Sequence, residues 1–388
     1  MDAMSQVHGV QSKCSKGNFY ATMEYGYHRV LNLDGIIDKT EHRARRQVWD
    51  KAFNGKGEYH DPHVIHQWLA KVDELNGQPI NWTLFASLIS FDITGHVGFS
   101  VDFGGVRAGK KDVHQQYIQS LFKMMADAGQ QPWLITLSKR LPLPASSDLV
   151  GFENLARRLV AQRLKDTADK EDIIHYFMED FKSDKPKAFF THEHLESDSQ
   201  AILIGAADSS FSPVTYCFRH LMLSPGTIDT LRVELAPLYN CSQKGGFANA
   251  DLTTSAPFLN AVINETMRLY NPTCTNAAKK TPPEGIVLGG TYIPGDVNMI
   301  SSIWSYHRSE RYFVRPGDWI PERWTSQPEL VLDKRAYHPF SYGPFNCVGQ
   351  RLAMMTIRLV IAYTVWFCDA EFAPGEDGSA VAIIIYKY

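Results

Sequence analysis

Apolar residues recur along most of the chain with the spacing of helices packed on a core, and this predicts a mainly helical body. The pattern turns helical from Thr40 onward. It continues around Val64 to Leu75, Trp82 to Gly95, Val113 to Ala128 and Phe152 to Asp166, with Gly- and Pro-rich breaks such as Leu141 to Ser147 between the helices. A longer stretch, Thr191 to Leu223, begins with a Thr suited to capping and has a largely apolar middle, so it predicts a helix crossing the interior. PFLNAVINETMRLYNP, from Pro257, is amphipathic and is ended by Pro272. Val348 to Phe367 is apolar nearly all round, as a buried helix would be. Thr275 to Lys280 and Gly285 to Ser302 alternate with Gly-Gly and Pro-Gly turns and read as short strands and hairpins, and EFAPGEDGSAVAIIIYKY supplies a terminal strand. Without an internal repeat or a low-complexity tract, residues 1–388 read as one domain, mainly α with small β-sheets.

Composition changes this picture little. The 388 residues are 44% hydrophobic and 21% charged, with a formal net charge of −3, an ordinary balance for a large core and no reason to expect nucleic-acid binding. The cysteines Cys14, Cys217, Cys241, Cys274, Cys347 and Cys368 form no CxxC pair, so neither a zinc site nor a disulfide framework is indicated and a reducing compartment fits. The N-terminus has no apolar signal core and no run of about 18 apolar residues occurs. An intracellular protein, soluble as given, is the expectation.

Candidate chemistry concentrates in HPFSYGPFNCVGQR, His338 to Arg351. On its own a cysteine ahead of a hydrophobic helix is a small buried apolar residue. Here Cys347 follows a Gly- and Pro-rich loop, stands between Gly343 and Gly349 and precedes a buried helix. Its thiolate would face unpaired N–H groups and the positive end of the helix dipole, a setting for a metal-ligating sulfur. Glycines let backbone approach a flat ligand, and Phe340 can pack beneath it. A second polar feature lies inside Thr191 to Leu223, where Asp208, Ser209 and Ser210 follow Gly205, Ala206 and Ala207. Pro213 leaves the carbonyl of Ser209 without a helical partner, so the helix should kink or open there. Glu265 and Arg268 are three apart and can face one another, as can His42 and Arg46 at four.

Phe340, Gly343, Cys347 and Gly349 form F-x-x-G-x-x-x-C-x-G, which resembles the haem-binding loop of the cytochrome P450 family. Further motifs follow in family order over roughly residues 10 to 370. GAADSS resembles the oxygen-activation motif A-G-x-D-T-T, E-x-x-R at Glu265 and Arg268 resembles the helix K pair, and PERW with Arg323 resembles the downstream P-E-R-F segment. The resemblance implies haem b, with Cys347 as axial iron ligand and Asp208 and Ser209 as proton-delivery residues. Glu265, Arg268 and Arg323 would form a triad bracing the haem loop. His42 and Arg46 would give charge-assisted hydrogen bonds to the propionates, and His307 matches a family position near them. Thr273 to Ala278 would line the substrate pocket. FDITGHVGFSVDFG loosely resembles helix E of the family.

Three departures stand out. Ala206 and Ser209 replace the usual Gly and Thr, which keeps a hydroxyl but constrains it less. Phe345 stands where a basic residue commonly touches a propionate, in a G-P-aromatic-N-C loop of fungal look. The chain begins after the membrane-anchor helix and first strands of microsomal members and ends with little of the last hairpin. The implied function is a monooxygenase inserting one oxygen atom from O2 into an apolar small molecule, possible work for secondary metabolism, with electrons from NADPH through NADPH-cytochrome P450 reductase. An endoplasmic-reticulum surface is implied where an anchor precedes the chain. The alternatives are a haem-thiolate catalyst of oxidative coupling or rearrangement, and an inactive haem-binding remnant.

Overall fold

The computed structural model describes residues 2–20, 30–54, 62–128, 133, 137, 144–166, 170–207, 209–240, 246–275, 278–379 and 381–387. In chain order these form α1 (Asp2–His8), β1 (Ser15–Lys16), α2 (Lys39–Asn54), α3 (His63–Leu75), β2 (Ile80–Asn81), α4 (Trp82–Phe99), α5 (Gly105–Ala108), α6 (Val113–Ala128) and α7 (Pro144–Lys165). Next come α8 (Ile173–Phe181), α9 (His192–Ala207), α10 (Phe211–Leu223), α11 (Pro225–Asn240), α12 (Asn249–Ser255) and α13 (Pro257–Leu269). The remainder is β3 (Lys279–Lys280), β4 (Ile286–Leu288), β5 (Thr291–Ile293), β6 (Asn298–Met299), α14 (Ile303–His307), α15 (Gln350–Phe367), β7 (Cys368–Phe372) and β8 (Ala382–Lys387).

Helix α4 is where the two large hydrophobic cores meet. Asn81 caps it by accepting the Leu84 N–H at 2.9 Å, and Ser100 ends it in the left-handed region at φ 54°. Phe85, Leu88 and Ile89 join a core with α3, α10, α13 and α15. Phe91, Val97 and Phe99 join the other, with α2, α6, α7, α8 and α9. Gly98 lets α9 come close, because a Cβ there would stand 3.1 Å from Ile202.

The strands are short and antiparallel, in the orders β1-β3-β6 and β2-β8-β7, with β4-β5 as a separate pair. The predicted terminal strand is the second arm of a hairpin with β7. The predicted helix over Thr191 to Leu223 is divided into α9 and α10. Pro213 falls in the first turn of α10, where a missing N–H leaves no helical bond unmade, so it opens the second helix rather than bending one long helix. The helix predicted over Phe152 to Asp166 starts earlier, at Pro144. Among the described residues no helix is long and apolar enough to cross a membrane.

A buried polar network ties the segment after residue 30 to this body. Asp198 on α9 accepts from the Leu33 N–H at 2.7 Å and from Arg45 on α2 at 2.8 Å, with both side chains almost fully buried. Burial raises the Asp198 carboxyl, and Arg45 opposes that shift.

Candidate functional site

The Cys347 loop is closed by its own backbone. Cys347 N–H donates to Phe340 O at 2.9 Å, Asn346 N–H to Gly343 O at 3.0 Å and Ser341 N–H to His338 O at 3.0 Å. Gly343 has φ 80°, and a Cβ there would fall 1.8 Å from the carbonyl oxygen of His8, so only glycine lets the loop sit on the end of α1. Gly349 caps α15, and a Cβ there would stand in ordinary contact, 3.8 Å, with the Cys347 sulfur. Phe340 is half-buried and packs on the core that contains α15.

Cys347 is exposed, whereas Cys14, Cys217 and Cys368 are buried. Protein encloses its other sides, and this burial pushes the thiol up while the Gly349 N–H and the Arg46 guanidinium pull it down. The open side decides what the sulfur can do. A ligand can reach it, and a metal cation there would hold it as thiolate.

Beside the loop lies a cluster of cations. Lys16 and Lys279 are directly opposed across β1 and β3 and are only 4% and 2% exposed. Like charges in that position repel. Lys16 Nζ donates to Leu33 O at 3.4 Å and to Asp34 O, while the Lys279 ammonium makes no hydrogen bond or ion pair among the described residues. The Nζ atoms lie 5.0 Å (Lys16) and 4.0 Å (Lys279) from the ring centroid of Phe345. Burial lowers both lysines from 10.5 to about 8.

The His42 ring stands 4.4 Å from the Phe345 ring, tilted by 55°. Burial first, then Lys16, Arg46 and Lys279, lower its imidazole to about 3. With no carboxylate opposite it among the described residues, the ring favours the neutral form, whose N–H can still donate to a carboxylate in a bond assisted by the acceptor's charge. Arg46 gives Nη1 to Asn346 O at 2.8 Å, Nη2 to Asn346 Oδ1 at 3.1 Å and Nε to Asp50 at 2.8 Å. It thus holds the cysteine loop. Buried ammonium groups without paired carboxylates, next to a reachable thiol, fit a flat metal-bearing ligand that carries carboxylates of its own, as haem does.

Glu265, Arg268 and Arg323 converge. Arg268 reaches both Glu265 oxygens, at 2.9 and 2.8 Å, and Arg323 Nε reaches Oε1 at 2.9 Å. Glu265 also accepts from Ile320 N–H and Trp324 Nε1–H, each at 2.9 Å. The spare guanidinium N–H groups go to carbonyls of Pro316, Asp318, Val314 and Leu330 at 2.7 to 3.2 Å. His307 belongs to this assembly. Its Nδ1 bonds Arg268 O at 3.1 Å and its Nε2 accepts from His338 N–H at 3.4 Å, a tautomer assigned from those partners. The ring is fully buried, and burial lowers it to about 3. His307 thus links the brace to the start of the cysteine loop.

Of the expected proton-delivery residues, Asp208 lies outside the described residues. The Ser209 hydroxyl donates back to Gly205 O across the end of α9. Gly205 is exposed, and a Cβ there would meet no described atom within 4 Å. In the expected pocket-lining stretch, Thr273 N–H donates to Asn271 Oδ1 at 2.9 Å and Cys274 is exposed. Sequence reasoning missed Lys16 and Lys279, whose meeting depends on strand pairing.

Comparison with known proteins agrees with this geometry. The family model described as cytochrome P450 matches residues 28–380. The cytochrome P450 monooxygenase sthD of Phaeosphaeria nodorum is 32% identical, over 97% of this chain and 79% of its own length. The cytochrome P450 monooxygenase phqL of Penicillium fellutanum is 31% identical, over 97% of this chain and 66% of its own. Tryprostatin B 6-hydroxylase of Neosartorya fischeri is 30% identical, over 97% of this chain and 68% of its own.

Proposed function

Because the chain belongs to the cytochrome P450 family, we propose that it binds haem b through Cys347 and works as a monooxygenase, inserting one oxygen atom from O2 into an apolar small molecule. One observation carries this reading: a reachable thiol on a glycine-framed loop stands beside a pair of buried lysines that oppose each other across two strands and make no ion pair among the described residues. When bound, the haem supplies the oxygen chemistry, and a cysteine ligand pushes electron density toward its iron. Lys16, Lys279, Arg46 and His42 would hold the carboxylates, and the Glu265 brace fixes the loop. Two relatives carry the name Tryprostatin B 6-hydroxylase, so hydroxylation in secondary metabolism is the reaction class we assign. An NADPH-linked reductase would supply electrons, and an endoplasmic-reticulum surface is the proposed location.

Proton delivery tests the assignment. Ser209 stands between α9 and α10, its hydroxyl donating back to Gly205 O of α9, and Asp208 precedes it in the sequence. Loss of general acid assistance costs about 10²–10⁴-fold. Asp208→Asn and Ser209→Ala should therefore slow turnover and lower the product formed per NADPH consumed, with haem and its thiolate spectrum retained. Unchanged rate and coupling in both variants would favour rearrangement or an inactive remnant.

A pH dependence follows from the lysine pair. Unfolding returns each lysine from about 8 to 10.5, so between those values the unfolded chain binds more protons and stability without haem rises with pH. Below about 8 the penalty is present in full, roughly 3 kcal/mol per lysine. Haem affinity should run the other way. Above about pH 8 the lysines must regain protons to meet carboxylates, so affinity falls. Melting curves of the haem-free protein and haem titrations over this window should show opposite slopes, both flattened by Lys279→Met. Parallel slopes would separate the lysines from the haem site.

A further inference from the structure

Phe345 occupies a position where charge is expected, and its surroundings show what the ring does there. Three groups from separate parts of the chain meet it: Lys16 from β1, Lys279 from β3 and His42 from α2. The strand register alone would set two buried ammonium groups against each other. Lys16 has carbonyl partners and shares its ammonium between the Tyr20 ring at 4.8 Å and the Phe345 ring at 5.0 Å, whereas the Lys279 ammonium has the Phe345 face, at 4.0 Å from the centroid. An aromatic face attracts a cation through its quadrupole, most strongly when water is excluded.

We propose that Phe345 is a positioning residue for the cofactor carboxylates: its ring seats the Lys16 and Lys279 ammonium groups at the edge of the Cys347 loop, so that two lysines supply the charge a basic side chain at 345 would have brought. This rests on the haem reading above. The arrangement has a physical logic. A basic side chain at 345 would add another cation to a cluster that already holds Lys16, Lys279 and Arg46, whereas an aromatic ring draws the ammonium groups inward without adding charge. Position 345 therefore contributes geometry, and the lysines contribute the field.

The test is the rate of haem transfer from holoprotein to excess apomyoglobin, followed by the Soret band. Desolvated cation–π contacts to the lysines correspond to about 10- to 100-fold in retention. Phe345→Leu should lose haem that much faster, and Phe345→Tyr should stay close to wild type. Lys279→Met should accelerate loss when Phe345 is present, and do much less in the Phe345→Leu background. Should Phe345→Leu fail to fold, fluorinated phenylalanines at 345 drain the ring face stepwise at nearly constant shape, and each added fluorine should speed haem loss. A rate that ignores fluorination, or full additivity of Lys279→Met with Phe345→Leu, overturns the proposal while leaving haem binding intact. A wild-type protein that takes up no haem with thiolate character overturns the premise as well.

Discussion

Cys347→Ala is expected to abolish the red-shifted Soret band of the ferrous carbonyl complex, and oxygenation with it, while the haem-free protein melts close to wild type. The two halves of this expectation have different causes. Cys347 is exposed and its thiol takes no part in the loop's closure, which runs from its backbone N–H to Phe340 O. Removing the sulfur therefore leaves packing nearly unchanged, and substitutions of that kind fall within about 0.5 kcal/mol. The spectrum should depend on this sulfur, because among the other described cysteines Cys14, Cys217 and Cys368 are buried. Burial holds Cys217 and Cys368 up at about 12. Cys274 is exposed but lies outside the glycine-framed loop, so Cys274→Ala is the control that should keep the band. Persistence of the band in Cys347→Ala would move the iron ligand elsewhere and undo the site.

What could be read from the sequence depends on how local its physical cause is. The Cys347 loop is contiguous, and its glycines declare themselves by spacing; Gly343 turns out to need φ 80° and to abut His8 O. The helices follow from apolar period, with boundaries that shift where a cap or proline decides them, as at Gly349 and Pro213. Lys16 and Lys279 were not readable, because strands two residues long carry no pattern and their pairing joins distant segments. His42 and Arg46 were readable as a shared helix face, but not the downward shift of His42, which comes first from burial and then from Lys16, Arg46 and Lys279, two of them on other elements. A usable signal went unread in ESDSQ, inside α9. Ser197, Asp198, Ser199 and Gln200 are all fully buried there, and a polar run at an interior helix position points to a buried network such as Asp198 with Arg45.

Glu265→Ala should do more damage than Cys347→Ala, and to the fold rather than to the spectrum. Its carboxylate faces two guanidiniums in a fully buried site. An intact buried group of this kind adds little net stability, because desolvation offsets attraction; breaking it is another matter, since stranding the partner costs about 3–5 kcal/mol. Here Arg268 and Arg323 would both be left facing each other without an anion. Ile320 N–H and Trp324 Nε1–H, both partly buried, would also lose their acceptor, at up to about 1–3 kcal/mol each where water does not replace it. Together these approach or exceed the roughly 5–15 kcal/mol by which a domain is stable. Glu265→Gln would not rescue it, because its amide nitrogen must point at one guanidinium. The damage should reach the cysteine loop through His307, whose ring joins Arg268 O to His338 N–H. Both variants should give little soluble haem-loaded protein at ordinary growth temperature, and any that is recovered should show an early thermal transition. A Glu265→Ala protein with wild-type yield, haem content and melting temperature would show that the carbonyl shell around the two arginines suffices, and that the carboxylate is not what holds the loop.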